Sequence, residues 1–256
     1  MPRLACLLLC LALAGCDFLM LDDDANTAAS YGPFEDDYYE APLATDSLQI
    51  DGVGNEAVWE RVTWNPIRHV WLGEEPSAED FSGRYKMAWD ANTLYVLAEI
   101  TDDVINDHFA DGLENYWRDD CLEIFLDEDA SGGDHTYNHN AFAYHIALDG
   151  QAVDLDTSRQ PRYYTDHIRM ERVQTGNTAV WEVAITVYSR RYRDNRDNNT
   201  AVDLGIGKTM GFAIAYCDND GGDEREHFIG SVFIPGPDKN VAWRDASVFG
   251  RVQLMP

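Results

Sequence analysis

The segment Trp117-Arg118-Asp119-Asp120-Cys121-Leu122-Glu123-Ile124-Phe125-Leu126-Asp127 joins a flat aromatic ring to a run of acids and then to an alternating strand. Leu122, Ile124 and Leu126 fall on one face of that strand, and Cys121, Glu123 and Phe125 on the other. Glu123 is thus a carboxylate in mid-strand beside an aromatic. Burying its charge is costly, so it is either solvated on a concave face or kept for a ligand. A flat ring that covers C–H faces, next to a fixed carboxylate that accepts hydroxyl hydrogen bonds, is the chemistry of sugar recognition.

The elements that must position these groups read as strands. Tyr85, Met87 and Trp89 alternate with polar or small neighbours, and Asp90-Ala91-Asn92-Thr93 turns the chain into Leu94 to Ile100, which predicts a hairpin. Further strands are expected at Ala141 to Leu148, Trp181 to Val187 after the Gly176-Asn177 turn, Gly211 to Cys217, Glu226 to Ile234 and Ser247 to Leu254. No segment sustains a 3.6-residue apolar period; short helices are allowed only at Glu56 to Arg61 or Tyr188 to Arg193. The pattern predicts an all-β fold, a two-sheet antiparallel β-sandwich over residues 46–256. Trp59, Trp89 and Trp181 are expected in its core, whereas Trp64 and Trp71 are ambiguous.

Composition limits the partners. A net charge of −27 excludes binding of nucleic acid or anionic lipid through charge and suits neutral ligands or cations. Residues 1–15 carry one basic residue, Arg3, and an apolar stretch from Leu4 to Ala14, the length of a secretory signal and too short for a bilayer span. Leu13-Ala14-Gly15-Cys16 resembles the lipobox of bacterial lipoproteins, which implies lipidation at Cys16 and an exported protein anchored to the cell envelope. Residues 16–45, rich in Asp, Glu, Ala and Tyr, read as an acidic flexible tether. Of the five cysteines only Cys121 and Cys217 then remain, either as a disulfide or as two packed thiols.

Asp51-Gly52, Glu56 and Trp59; Trp89-Asp90 and Leu94-Tyr95-Val96; Thr101-Asp102; Trp117, Asp120 and Glu123 to Asp127; Trp243-Arg244-Asp245 and Phe249-Gly250 follow one another in a familiar order. In that order and spacing the set resembles carbohydrate-binding module family 9 and its wider family-9-like group. The resemblance implies a jelly-roll β-sandwich with no catalytic activity of its own. It also implies a partner, an oligo- or polysaccharide, held between two tryptophans, and an association with polysaccharide-degrading enzymes. Position by position it makes Trp117 and Trp243 the clamp aromatics, Glu123 the carboxylate acceptor and Asn240 an amide that reads the sugar. On the Ala141 to Leu148 strand the family carries an arginine and an asparagine where this chain has His145 and Ala147.

Other constellations carry weaker chemistry. Asp119 or Asp120 with Glu123 has the composition of a glycosidase pair, but no motif places a second acid. His135, His139 and His145 lack zinc spacing and read as surface histidines, His145 being also the family-site position above. Asp218-Asn219-Asp220-Gly221-Gly222-Asp223 is dense in oxygen ligands but has no EF-hand glutamate, since Ile229 stands at the twelfth position. Relatives can carry structural calcium, which makes Asp218, Asp220 and Asp223 the candidates here; no other cofactor is expected. Two alternatives remain at this stage. One is a haem-b sandwich with an axial pair from Met87, Met170, Met210 and His145. The other is a surface adhesion or assembly lipoprotein that binds no sugar.

Overall fold

The computed structural model describes residues 37–256; Cys16 and the signal segment lie outside them. The elements are β1 (Tyr38–Pro42), α1 (Ala57–Glu60), β2 (Asn65–Ile67), β3 (His69–Leu72), β4 (Phe81–Asp90), β5 (Thr93–Asp102), β6 (Cys121–Asp127) and β7 (Phe142–Ala147). They continue with β8 (Ala152–Leu155), β9 (Pro161–Tyr163), β10 (Ile168–Thr175), β11 (Thr178–Thr186), β12 (Thr209–Asp218), β13 (His227–Gly230) and β14 (Gly250–Met255). One sheet runs β1-β14-β12-β6-β7-β8-β9, with β13 bridging β12 to β3; the other runs β10-β11-β5-β4-β2. All pairings within the sheets are antiparallel except β1 on β14. One edge of β12 is shared: Thr209–Phe212 pairs with β14 and Ala215–Asp218 with β13.

Alternation sorts the side chains as the sequence predicts. Leu122, Ile124 and Leu126 of β6 meet Tyr85, Met87 and Trp89 of β4 and Trp181 of β11 in the core between the sheets. Cys121 and Phe125 point outward, where Trp71, Phe228 and Val232 make a second apolar layer on the larger sheet. Trp71 therefore belongs to this layer, its ring 5.0 Å from Phe228 and 5.9 Å from Phe125. Trp64 instead lies under Arg84 and Lys86, 4.4 and 4.8 Å from its ring centre. Helix α1 inserts Val58 and Trp59 against the outer face of the smaller sheet. Tyr188 to Arg193 makes only turns, because Tyr188 and Tyr192 pack on the buried ring of His167 at 4.5 and 4.7 Å.

Residues 38–45 correct the expected tether. Tyr38–Pro42 forms β1, in register with Arg251–Met255, and buries Tyr39 and Ala41 in the intersheet core. The Tyr39 ring meets Tyr85 edge-on at 5.4 Å. The acids around this strand mask its two-residue alternation, and parallel pairing with the last strand is a contact no local signal reveals. Tyr39→Ala is expected to cost about 3–5 kcal/mol in denaturant unfolding, as for other large buried aromatics. An unchanged midpoint would return this segment to the tether.

Candidate functional site

A cavity of about 730 Å³ opens on the outer face of the larger sheet, and Trp117, Glu123, His145, Asn240 and Trp243 all line it. These five residues come from four parts of the chain. Glu123 and His145 are direct cross-strand partners on β6 and β7. Trp117 hangs from the β5–β6 connection, where Asn115 adopts a left-handed φ of 56° that a short polar side chain tolerates. Trp243 and Asn240 lie in the β13–β14 connection, tied together by the indole N–H donating to the Asn240 carbonyl at 3.1 Å. Both tryptophans are half-buried, with Arg118 and Arg244 beside their rings at 5.9 and 5.7 Å.

Glu123 is only 1 % exposed, yet it is charge-compensated. Its Oε1 lies 2.8 Å from His145 Nε2, accepts from Arg225 Nη1 at 3.1 Å and accepts from the Cys217 thiol at 3.1 Å. Burial pushes this carboxyl up, but His145 and Arg225 outweigh burial and hold it below its ordinary value. All three contacts are to Oε1, and Oε2 has no hydrogen-bond partner among the described residues. His145 Nδ1 lies 3.2 Å from the Ala143 carbonyl.

Arg225 is the residue sequence reasoning missed. Its guanidinium stacks on Phe228 at 3.8 Å and reaches Glu123, the Cys217 sulfur at 2.9 Å and the Asn240 side-chain oxygen at 3.5 Å. Burial lowers its basicity, but Cys217 and Glu123 raise it further, so the group stays charged. Arg225, two residues ahead of β13, thus brings a permanent cation to the carboxylate that His145 also faces. The one available signal was that Arg225 is the sole basic residue between Lys208 and Lys239. Cys121 and Cys217 face each other across the β6–β12 ladder as free thiols, and hydrogen bonding and burial raise Cys121 while burial raises Cys217.

Asp119 and Asp120 are structural: Asp119 accepts from the backbone of His108 and Phe109, and Asp120 from Asn106 and Asn219, at 2.6–2.9 Å. His135, His139 and His145 are all buried rather than on the surface. His135 Nε2 lies 2.8 Å from the Ala242 carbonyl, and His139 Nε2 lies 3.1 Å from Asp194 Oδ1. Met87 and Met210 are in the core between the sheets, Met170 packs against it, and among the described residues no methionine lines the cavity that holds His145. Of the calcium candidates, Asp218 converges with Asp102 and Asp120, all buried, and Asp220 with Asp80 and Asp103; Asp223 joins no such group among the described residues. Burial pushes Asp102 up, Asp120 to about 9 and Asp218 to about 7, and the charge of Asp102 adds to the rise at Asp120 and Asp218. Asp218 Oδ1 is buried with no hydrogen-bond partner.

Sandwich and cavity together define a carbohydrate-binding domain. The sequence model of the family described as "Carbohydrate family 9 binding domain-like" matches residues 50–256, and the chain belongs to that family. Its modules bind and are non-catalytic in themselves. The chain is similar to a family 9 carbohydrate-binding module from Caldicellulosiruptor kristjanssonii in complex with cellotriose: TM-score 0.61, 21% identity, 85% of this chain and 93% of that one. A glucose complex from the same organism gives a TM-score of 0.60 at 21% identity, over 84% of this chain and 95% of that one. It is also 24% identical over 208 residues to endo-1,4-beta-xylanase A of Thermotoga maritima, covering 80% of this chain but only 17% of that enzyme.

Proposed function

We propose that this domain binds a neutral oligosaccharide by holding a sugar ring between Trp117 and Trp243. Glu123 Oε2 and the Asn240 amide take its hydroxyls, while Arg225 and His145 keep Glu123 ionised. The observation that carries this reading is that five residues from four parts of the chain line one cavity around a buried, compensated carboxylate with one open oxygen. The relatives' cellotriose and glucose complexes and the xylanase favour gluco- and xylo-oligosaccharides as the first ligands to try. At about 0.3 kcal/mol per heavy atom, a disaccharide gains roughly 7 kcal/mol, a Kd on the order of 10 μM. Calorimetric titration with gluco-, xylo- and galacto-oligosaccharides tests this; absence of heat with every one of them sinks the reading.

The exported setting rests on residues 1–16. Lipid on Cys16 would tether the domain to the cell envelope, beside enzymes that degrade the same polysaccharide. Mass spectrometry of the mature N-terminus would find an acylated Cys16, and an unmodified or uncleaved N-terminus contradicts the anchor. The buried trio Asp102, Asp120 and Asp218 fits a hard divalent cation, since all its donors are carboxylate oxygens and one is otherwise unpartnered. Calcium at a hundred times its Kd would then stabilise the domain by about 2.7 kcal/mol, roughly 5–10 °C in Tm, relative to chelator. Equal melting in EDTA and in calcium removes the ion.

A further inference from the structure

The sugar cavity does not end at its floor. A second cavity of about 260 Å³ adjoins it, and Tyr116 and His145 line both. Tyr116 stands at the junction, edge-on to the Trp117 ring at 5.1 Å and to the His145 ring at 4.7 Å. Beyond it the wall is made by Ala147 at the end of β7, by Gln151 after the β7–β8 turn and by the 107–112 part of the β5–β6 connection. Ala147 contributes only a methyl group to this wall. Alone, 260 Å³ falls below the usual size of a ligand pocket, whereas 730 Å³ lies well within it. The smaller space therefore makes sense as a continuation of the larger.

Resting on the carbohydrate reading above, we propose that the groove is open past Tyr116 and takes an internal stretch of a neutral polysaccharide, three or more sugar units, instead of a chain end. Rings beyond the one between the tryptophans pass over Tyr116 into the compartment beside Ala147. The charge there selects against acidic glycans. Asp107, Asp111, Glu114 and Asp149 line this compartment, and none of them is in a salt bridge among the described residues. A uronate carboxylate would meet only repulsion from them.

The test is calorimetry on the full domain with cello- and xylo-oligosaccharides of two to six units, each also reduced at its end to the alditol. The open groove predicts affinity rising about tenfold or more from the disaccharide to the tetrasaccharide, as added rings gain contacts. It also predicts that end reduction of the tetrasaccharide changes affinity less than about threefold, and that uronate-bearing oligosaccharides bind more weakly than neutral ones of equal length. Ala147→Phe fills the second cavity and should abolish the gain from disaccharide to tetrasaccharide, with a smaller loss for the disaccharide itself. Gln151→Ala, an exposed change, should lose part of the same gain. Affinity that saturates at the disaccharide, or that vanishes on end reduction, overturns the open groove and leaves the sugar site standing. No binding of any oligosaccharide overturns both.

Discussion

Trp243→Ala is expected to weaken oligosaccharide binding about thirtyfold or more, the loss of roughly 2 kcal/mol of ring contact at a half-buried aromatic anchor. Trp117→Ala should do the same, and the double variant should fall from the micromolar range beyond calorimetric detection. Both rings are only half-buried, so unfolding midpoints should move little. Trp243→Phe retains a flat ring but loses the indole N–H that donates to the Asn240 carbonyl, so its loss should be intermediate. Calorimetry on the four variants reads these effects, and wild-type affinity in the alanine forms would take the tryptophans out of the site.

The second large effect is on stability. Arg225→Ala leaves Glu123 buried with a charged partner removed, and breaking a buried pair in this way costs about 3–5 kcal/mol. The cost should depend on pH in a defined direction. In the wild type Glu123 titrates below its unfolded value near 4.3, so it contributes stability above that pH and loses it as pH falls through the folded value. Without Arg225 burial gains weight and the Glu123 pKa rises, so protonation relieves the variant. The stability gap between wild type and Arg225→Ala should therefore shrink as pH is lowered from 7 towards 4. A gap that stays constant or widens would mean that Arg225 acts through packing on Phe228 alone.

The sandwich was legible because β6, β4, β5, β11 and β12 alternate strongly and their turns carry ordinary turn residues. β1 and β10 were not, for different reasons. β1 sits among acids and finds its partner at the far end of the chain, whereas β10 is an edge strand that buries only Ile168 and exposes even Val173, so its apolar positions mark no core face. The site was legible where a residue type is costly out of context: a mid-strand glutamate and tryptophans in polar loops. Arg225 was hidden because an arginine between Glu224 and Glu226 reads as a solvated charge, and only the fold brings it back against Phe228 and Glu123. The same holds for His135 and His139, polar in sequence and buried by contacts from distant segments.

The most direct test of the central claim is a crystal structure of the domain soaked with whichever gluco- or xylo-oligosaccharide binds most tightly. The account predicts a sugar ring between Trp117 and Trp243, with a hydroxyl within hydrogen-bonding distance of Glu123 Oε2 and another near the Asn240 side chain. A ligand bound elsewhere, with both tryptophans uncovered, would contradict it.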